Sequence, residues 1–191
     1  MLEKMPRGLG HALRGVRAGY EKIVIEDDAF AQIPDTIALE SPAFADGGDI
    51  PDRFTADGEK ISPPLAWRGA PQDAESLVLV VEDPDAPSHE PLVHLLAWDL
   101  PPDLTSLDEG LFRSPDHDGL DENLGRNSFL QTAYLPPDPP TGHGPHLYAF
   151  QIFALDRKLD FDHSPGRLAV VKAMTGHVLA KGVLVGAYER I

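Results

Sequence analysis

Two apolar runs, residues 77–81 and 93–100, flank a turn stiffened by proline: Asp83-Pro84-Asp85-Ala86-Pro87. Their near-continuous hydrophobicity predicts strands over 75–82 and 93–100, each buried on both faces. The turn between them holds two carboxylates, and His94 stands near the start of the second run. Loops held by rigid strands are where sites tend to lie. The stretch 78–101 is therefore the reference point for reading the rest of the chain.

The surrounding sequence is rich in turns, with 19 prolines and 17 glycines in 191 residues. Short strands are predicted at 36–39, 65–67 and 147–155, separated by Asp46-Gly47-Gly48, Asp57-Gly58, Ser62-Pro63-Pro64 and similar signals. The segment Tyr134-Leu135-Pro136-Pro137-Asp138-Pro139-Pro140 suits neither an interior strand nor a helix. Residues 101–131 have weak periodicity and carry seven acids against two arginines, which predicts an irregular, exposed connection. Asp116, Asp118, Asp121 and Glu122 invite a calcium reading there, but the spacing is not that of an EF-hand loop.

Ser164 and Pro165 read as a helix cap and first turn. The helix is expected to run to about Tyr188, burying Leu168, Val171, Thr175, Val178 and Val185, with Gly176, Gly182 and Gly186 allowing close approach. The pattern as a whole is a mostly β domain, residues 35–191, closed by a packed C-terminal helix.

Residues 1–34 read as an N-terminal helical extension. Leu9, Leu13, Val16, Tyr20 and Ile23 form one helical stripe, and Arg14, Arg17 and Lys22 lie largely off it. Such a stripe needs cover, from its own domain, from a second copy or from an anionic membrane. A homodimer through the N-terminal or C-terminal helices is the expected assembly. The glycines at 8, 10, 15 and 19 weaken this helix by up to ~1 kcal/mol each relative to alanine.

Charge and composition remove several classes of function. The net charge is −15, with residues 1–25 at +3 and the remainder at −18, so nucleic acid is not an expected partner. With no cysteine there is no disulfide, thiolate or cysteine-zinc chemistry. No run reaches 18 apolar residues and no secretory core follows the basic N-terminus, so the cytoplasm is the expected compartment. There is no Gly-x-Ser-x-Gly elbow and no glycine-rich phosphate loop. Ser88 and Ser128 are unmarked as nucleophiles. Histidine spacing does not support a metal, and no cofactor is expected.

Three groups remain as candidates for chemistry: Asp83 with Asp85, His94, and His146 with Tyr148. Each stands at a strand edge beside a proline-locked turn. Proline lowers the entropy lost in fixing a turn and so suits a preorganised pocket.

These residues carry a resemblance. Asp83-Pro84-Asp85-Ala86-Pro87, His94 opening a strand that ends Asp99-Leu100-Pro101, and Gly144-Pro145-His146-Leu147-Tyr148 resemble the phosphatidylethanolamine-binding protein family, closest to its bacterial Raf-kinase-inhibitor-like branch. Ser41-Pro42-Ala43-Phe44, Ile61-Ser62-Pro63-Pro64-Leu65-Ala66-Trp67 and Tyr134 with Pro139-Pro140 agree, over roughly 36–188. The resemblance implies a β-rich fold with a central antiparallel sheet, few peripheral helices and a small pocket for phosphate-like anions. It makes Asp83, Asp85, Pro87, His94, Tyr134, Pro140, His146 and Tyr148 the expected ligand-binding residues, and the Asp83–Pro84 bond a candidate cis peptide. Leu147 stands where the family commonly has Arg, and Leu92 where it has an aromatic. Pro136 and Asp138 stand where it has glycines. Asp138 adds a negative charge near the expected mouth.

The function so implied is non-catalytic: a binding or regulatory protein with a small anionic or phosphorylated ligand, acting on a protein partner such as a kinase or protease. The alternative is a hydrolase or lyase using the Asp and His residues as acid and base. An imidazolium donates from both nitrogens, so two histidines suit a phosphate oxygen. Asp83 beside them is expected to raise their pKa and to strengthen anion binding below about pH 7.

Overall fold

The computed structural model describes residues 7–114 and 123–191, so the acidic group considered for calcium lies outside the described residues. Helix α1 spans Arg7–Leu13, and short 3-10 turns follow at Tyr20–Lys22, Val24–Glu26 and Asp28–Phe30. Strands β1 (Ala38–Glu40), β2 (Leu65–Arg68), β3 (Ser76–Asp83), β4 (Leu92–Leu100) and β5 (Ser106–Leu107) come next. They are followed by β6 (His146–Leu155), helix α2 (Arg167–Met174) and β7 (Val178–Tyr188). A four-stranded antiparallel sheet has the order β4-β3-β6-β7, and a three-stranded antiparallel sheet the order β1-β2-β5.

Strand β3 is buried along its whole length, as its apolar run requires. Its side chains alternate between two cores, the period-two rule of a strand. Leu77, Leu79 and Val81 enter a core shared with Leu39, Leu65, Trp67 and Leu107 of the small sheet. Val78 and Val80 enter a second core made with Ile23, Val24, Ile25 and Phe30 and with Val170, Val171 and Met174 of α2. The central sheet is thus the middle of three layers.

The second core shows what the N-terminal segment does. One continuous helix does not form: α1 ends at Leu13, and Gly19 takes a φ of 111° that suits glycine. Leu9, Val16 and Tyr20 of the expected stripe are exposed, whereas Ile23 is buried. Residues 23–30 are held by polar bonds as well as packing. Buried Glu82 accepts from Val24 N at 2.8 Å, Gln151 Nε2 at 2.9 Å and Arg167 Nε at 2.6 Å. Gln151 Oε1 accepts from Ile25 N at 2.7 Å, and Lys181 Nζ donates to the Ile25 and Phe30 carbonyls at 3.2 and 3.1 Å.

The C-terminal helix is much shorter than expected. It is capped by Gly166 rather than Ser164 and stops before Gly176, whose φ of 81° is the left-handed turn that ends helices. Its buried face is Val170, Val171 and Met174, while Leu168 is exposed. Residues 178–188 form β7, burying Val178, Ala180, Gly182, Leu184 and Gly186 with period two. Valine and leucine at 178, 179, 183, 184 and 185 satisfy a helical stripe and a strand equally, and pairing with β6 decides between them. The close-approach reading holds for two of the three glycines: a Cβ at Gly182 would fall on the Ile37 carbonyl and one at Gly186 on Ile50, whereas one at Gly176 would meet nothing within 4 Å.

Candidate functional site

Antiparallel order brings the candidates together. With β3 between β4 and β6, its C-terminal end lies beside the beginnings of both neighbours: Asp83 pairs with Leu92, and Glu82 with Ala149. Asp83, His94, His146 and Tyr148, scattered over 65 positions of sequence, meet at one end of the sheet. All four are buried, at 4%, 2%, 0% and 1% exposure respectively.

Asp83 does two jobs. Its Oδ1 accepts the Asp85 amide at 2.8 Å, closing the turn, and its Oδ2 lies 2.7 Å from His146 Nδ1. The turn reaches this geometry with a trans Asp83–Pro84 bond, so the cis peptide expected from the resemblance is not present. The side-chain bond closes the turn with the isomer that X–Pro bonds favour anyway. Asp85 Oδ2 accepts the Leu147 amide at 2.7 Å, tying the turn to β6, and its other oxygen pairs with Arg17. A guanidinium therefore reaches this loop from the N-terminal segment.

His143, absent from the expected site, extends the Asp83–His146 pair. Its Nδ1 is 2.8 Å from His146 Nε2, and its Nε2 is 2.8 Å from the Leu13 carbonyl. Asp83 and the carbonyl only accept, so three short gaps need three protons, one more than two neutral rings carry. Burial and the facing His146 and Arg17 hold His143 below the usual imidazole range, against the pull of the Leu13 carbonyl. The signal in sequence was the run Gly142-His143-Gly144-Pro145-His146, in which only the second histidine carried the family resemblance.

His94 Nδ1 lies 2.6 Å from the Leu135 carbonyl, which can only accept, so Nδ1 carries the proton. In the neutral ring Nε2 is then a lone pair. Burial lowers the His94 pKa and outweighs the charge of Asp83, which corrects the expectation that Asp83 would raise it. Tyr148 meets His94 edge-on, ring centroids 5.1 Å apart. Burial, reinforced by Asp83, pushes its phenol well above the usual range, so it keeps its proton as a donor. His94 Nε2 and the Tyr148 hydroxyl are both buried and have no hydrogen-bond partner among the described residues.

The remaining expected residues form walls. Tyr134 donates its hydroxyl to the Phe54 carbonyl at 3.2 Å, so it offers a ring and no free donor. Pro140 is buried, and its carbonyl accepts the His143 amide at 3.0 Å; Pro87 is half-buried. Asp138 is less of an electrostatic obstacle than its position suggested. Burial would raise its carboxyl, but Arg190, 2.6 Å away, helps hold it below the usual range. Ser88 and Ser128 are tied to local backbone, Ser88 donating to the Glu90 carbonyl and Ser128 accepting the Val93 amide. Among the described residues no three His, Asp or Glu side chains group as metal ligands.

Comparison with known proteins gives the family and agrees with the fold. The family model for phosphatidylethanolamine-binding protein matches residues 40–189. A UPF0098 protein of Methanothermobacter thermautotrophicus is 43% identical over 154 residues, spanning 80% of this chain and 98% of the relative. A putative phosphatidylethanolamine-binding protein homologue from Chlamydia trachomatis superposes with TM-score 0.73 at 34% identity, covering 82% of this chain and 99% of that one. YbcL of E. coli gives the same TM-score and coverages at 26% identity. The chain belongs to the phosphatidylethanolamine-binding protein family, in the branch that includes YbcL.

Proposed function

We propose that this chain is a non-catalytic binding protein whose buried Asp83–His94–His146–Tyr148 cluster takes a small anion, a phosphate group being the best fit. One observation carries the reading. His94 Nε2 and the Tyr148 hydroxyl are buried beside an Asp–His pair without partners, and leaving such groups unsatisfied costs about 1–3 kcal/mol each. A phosphate oxygen accepts from Tyr148, and a phosphate O–H donates to the His94 lone pair. The regulatory side of the reading, control of a kinase or protease partner, follows from the family resemblance.

The Asp83–His146 pair also has the form of an acid–base dyad, which favours hydrolysis as the second reading. Titration with inorganic phosphate, followed on the His ring signals, separates the two. Binding predicts shifts at His94 and His146 with no turnover of an activated phosphate ester. Turnover that disappears in His146→Ala would establish the enzyme instead. The absence of any ring shift up to high millimolar phosphate would defeat the pocket.

A further inference from the structure

The N-terminal segment divides at Gly19 into two parts held in different ways. Beyond it, Ile23, Val24, Ile25 and Phe30 are core. Before it, residues 7–19 place one apolar side chain, Ala18, in the buried set, while Leu9 and Val16 stay 47% and 46% exposed. What holds this first part is polar and backbone contact, and nearly all of it falls on the two loops that bracket the site.

Ala18 N donates to the Ala86 carbonyl at 3.1 Å and Gly19 N to the Pro84 carbonyl at 2.9 Å, both on the Asp83–Pro87 turn. Arg17 pairs with Asp85 of that turn and also donates to the Pro145 carbonyl at 3.1 Å, so it spans the gap between the loops. The Leu13 carbonyl meets His143 Nε2 at 2.8 Å. Gly10 lies against the Thr141 carbonyl so closely that a Cβ would fall on that oxygen.

We propose that residues 7–19 are a displaceable cover over the mouth of the anion pocket, hinged at Gly19, and that the chain controls access to its own site through it. This rests on the pocket reading above. Entry between the 84–87 and 141–146 loops requires Arg17 and Leu13 to leave. The pocket's apparent affinity is therefore its intrinsic affinity reduced by the fraction of chains that are open. The hinge is a residue whose φ of 111° glycine adopts without strain. The cover carries few apolar contacts to break, and its anchor, the 23–30 core, stays in place when it lifts.

The full chain tests this with Gly10→Ala and Gly10→Val, which force the cover off the Thr141 carbonyl and the His143 backbone while leaving every pocket side chain unchanged. Amide exchange at Ala18 and Gly19 reads the cover directly, with β3 amides as the control for the fold. Inorganic phosphate titration reads the pocket. The expected result is faster exchange at Ala18 and Gly19, unchanged β3 protection, and phosphate binding tightened about tenfold, larger for valine than alanine. Faster exchange with equal phosphate affinity in all three proteins would remove the cover and leave the pocket standing. Unchanged exchange in both variants would show that the segment is fixed and would also end the proposal. No phosphate response in any of the three removes the pocket itself, and the cover with it.

Discussion

His94 commits its one neutral-state proton to the Leu135 carbonyl and turns a lone pair inward. An unprotonated phosphate oxygen facing that lone pair is repelled. Contact forms only when a proton comes from the solution to the ring, or arrives on the ligand as P–OH. Hydrogen phosphate brings its own P–OH, but sulfate does not, so sulfate binding takes up one proton, and its affinity should rise as pH falls, by up to about tenfold per unit while the bound complex holds one proton more than the free partners. Sulfate titrations at pH 5.5, 6.5 and 7.5 check this, and equal affinities would contradict it. Because burial lowers the His94 pKa, the free ring itself titrates below the ordinary value of about 6.5.

Tyr148 separates stability from binding at the same place. Its hydroxyl is buried without a partner among the described residues, so removing it relieves an unsatisfied group worth about 1–3 kcal/mol. Tyr148→Phe should raise the thermal midpoint of the free protein and weaken phosphate binding about tenfold. A variant that is less stable and binds as well as the wild type would show that the hydroxyl serves the fold alone.

Among the elements, the N-terminal segment changes meaning most between sequence and structure. Burying Ile23, Val24, Ile25 and Phe30 contributes roughly 1.5–3 kcal/mol each. Their sum is of the same order as the whole stability of a domain, about 5–15 kcal/mol. Removing residues 1–19 should leave a cooperative melt, whereas removing residues 1–30 should abolish it by uncovering the second face of β3. A folded chain starting at residue 31 would refute this layer assignment.

Glu82 is the polar counterpart of that packing. It joins β3 to Val24, Gln151 and Arg167 from inside the protein. Glu82→Leu leaves Arg167 Nε and the Val24 amide without their acceptor, the guanidinium keeping only its bond to the Lys22 carbonyl, and the cost should be about 3–5 kcal/mol. Denaturant unfolding measures it, and a change below 1 kcal/mol would mean that the network is dispensable.

For the molecule as a whole, the excess of acid and the basic N-terminus are spatially related. The chain carries −15 overall, and Arg17 of its basic end pairs with Asp85 of the β3–β4 turn. The apolar stripe that suggested a homodimer or a membrane surface is not presented as one face: Ile23 is covered by the chain itself, and Leu9 and Val16 stand apart from it in the exposed part. No described helix is long and apolar enough to cross a membrane.

Sequence alone determined β3 and β4, because a strand buried on both sides has little choice but a continuous apolar run. It also determined the rigid turn between them, and through the family resemblance of their motifs it named Asp83, His94, His146 and Tyr148 as a set. It could not decide residues 178–188, where Val and Leu suit both a helix and a strand and only the open edge of β6 chooses. It could not show that His94 would lose to desolvation what it gains from Asp83, since burial is a property of the finished layers. Nor could it join Leu13, Arg17 and His143 to the site, because contacts across some 130 residues of separation carry no periodicity. Local pattern follows from the chemistry of neighbouring residues. The burial of His94 and the contacts of Arg17 and Leu13 with the site loops follow from which distant surfaces exclude water together, and that was decided by the tertiary structure.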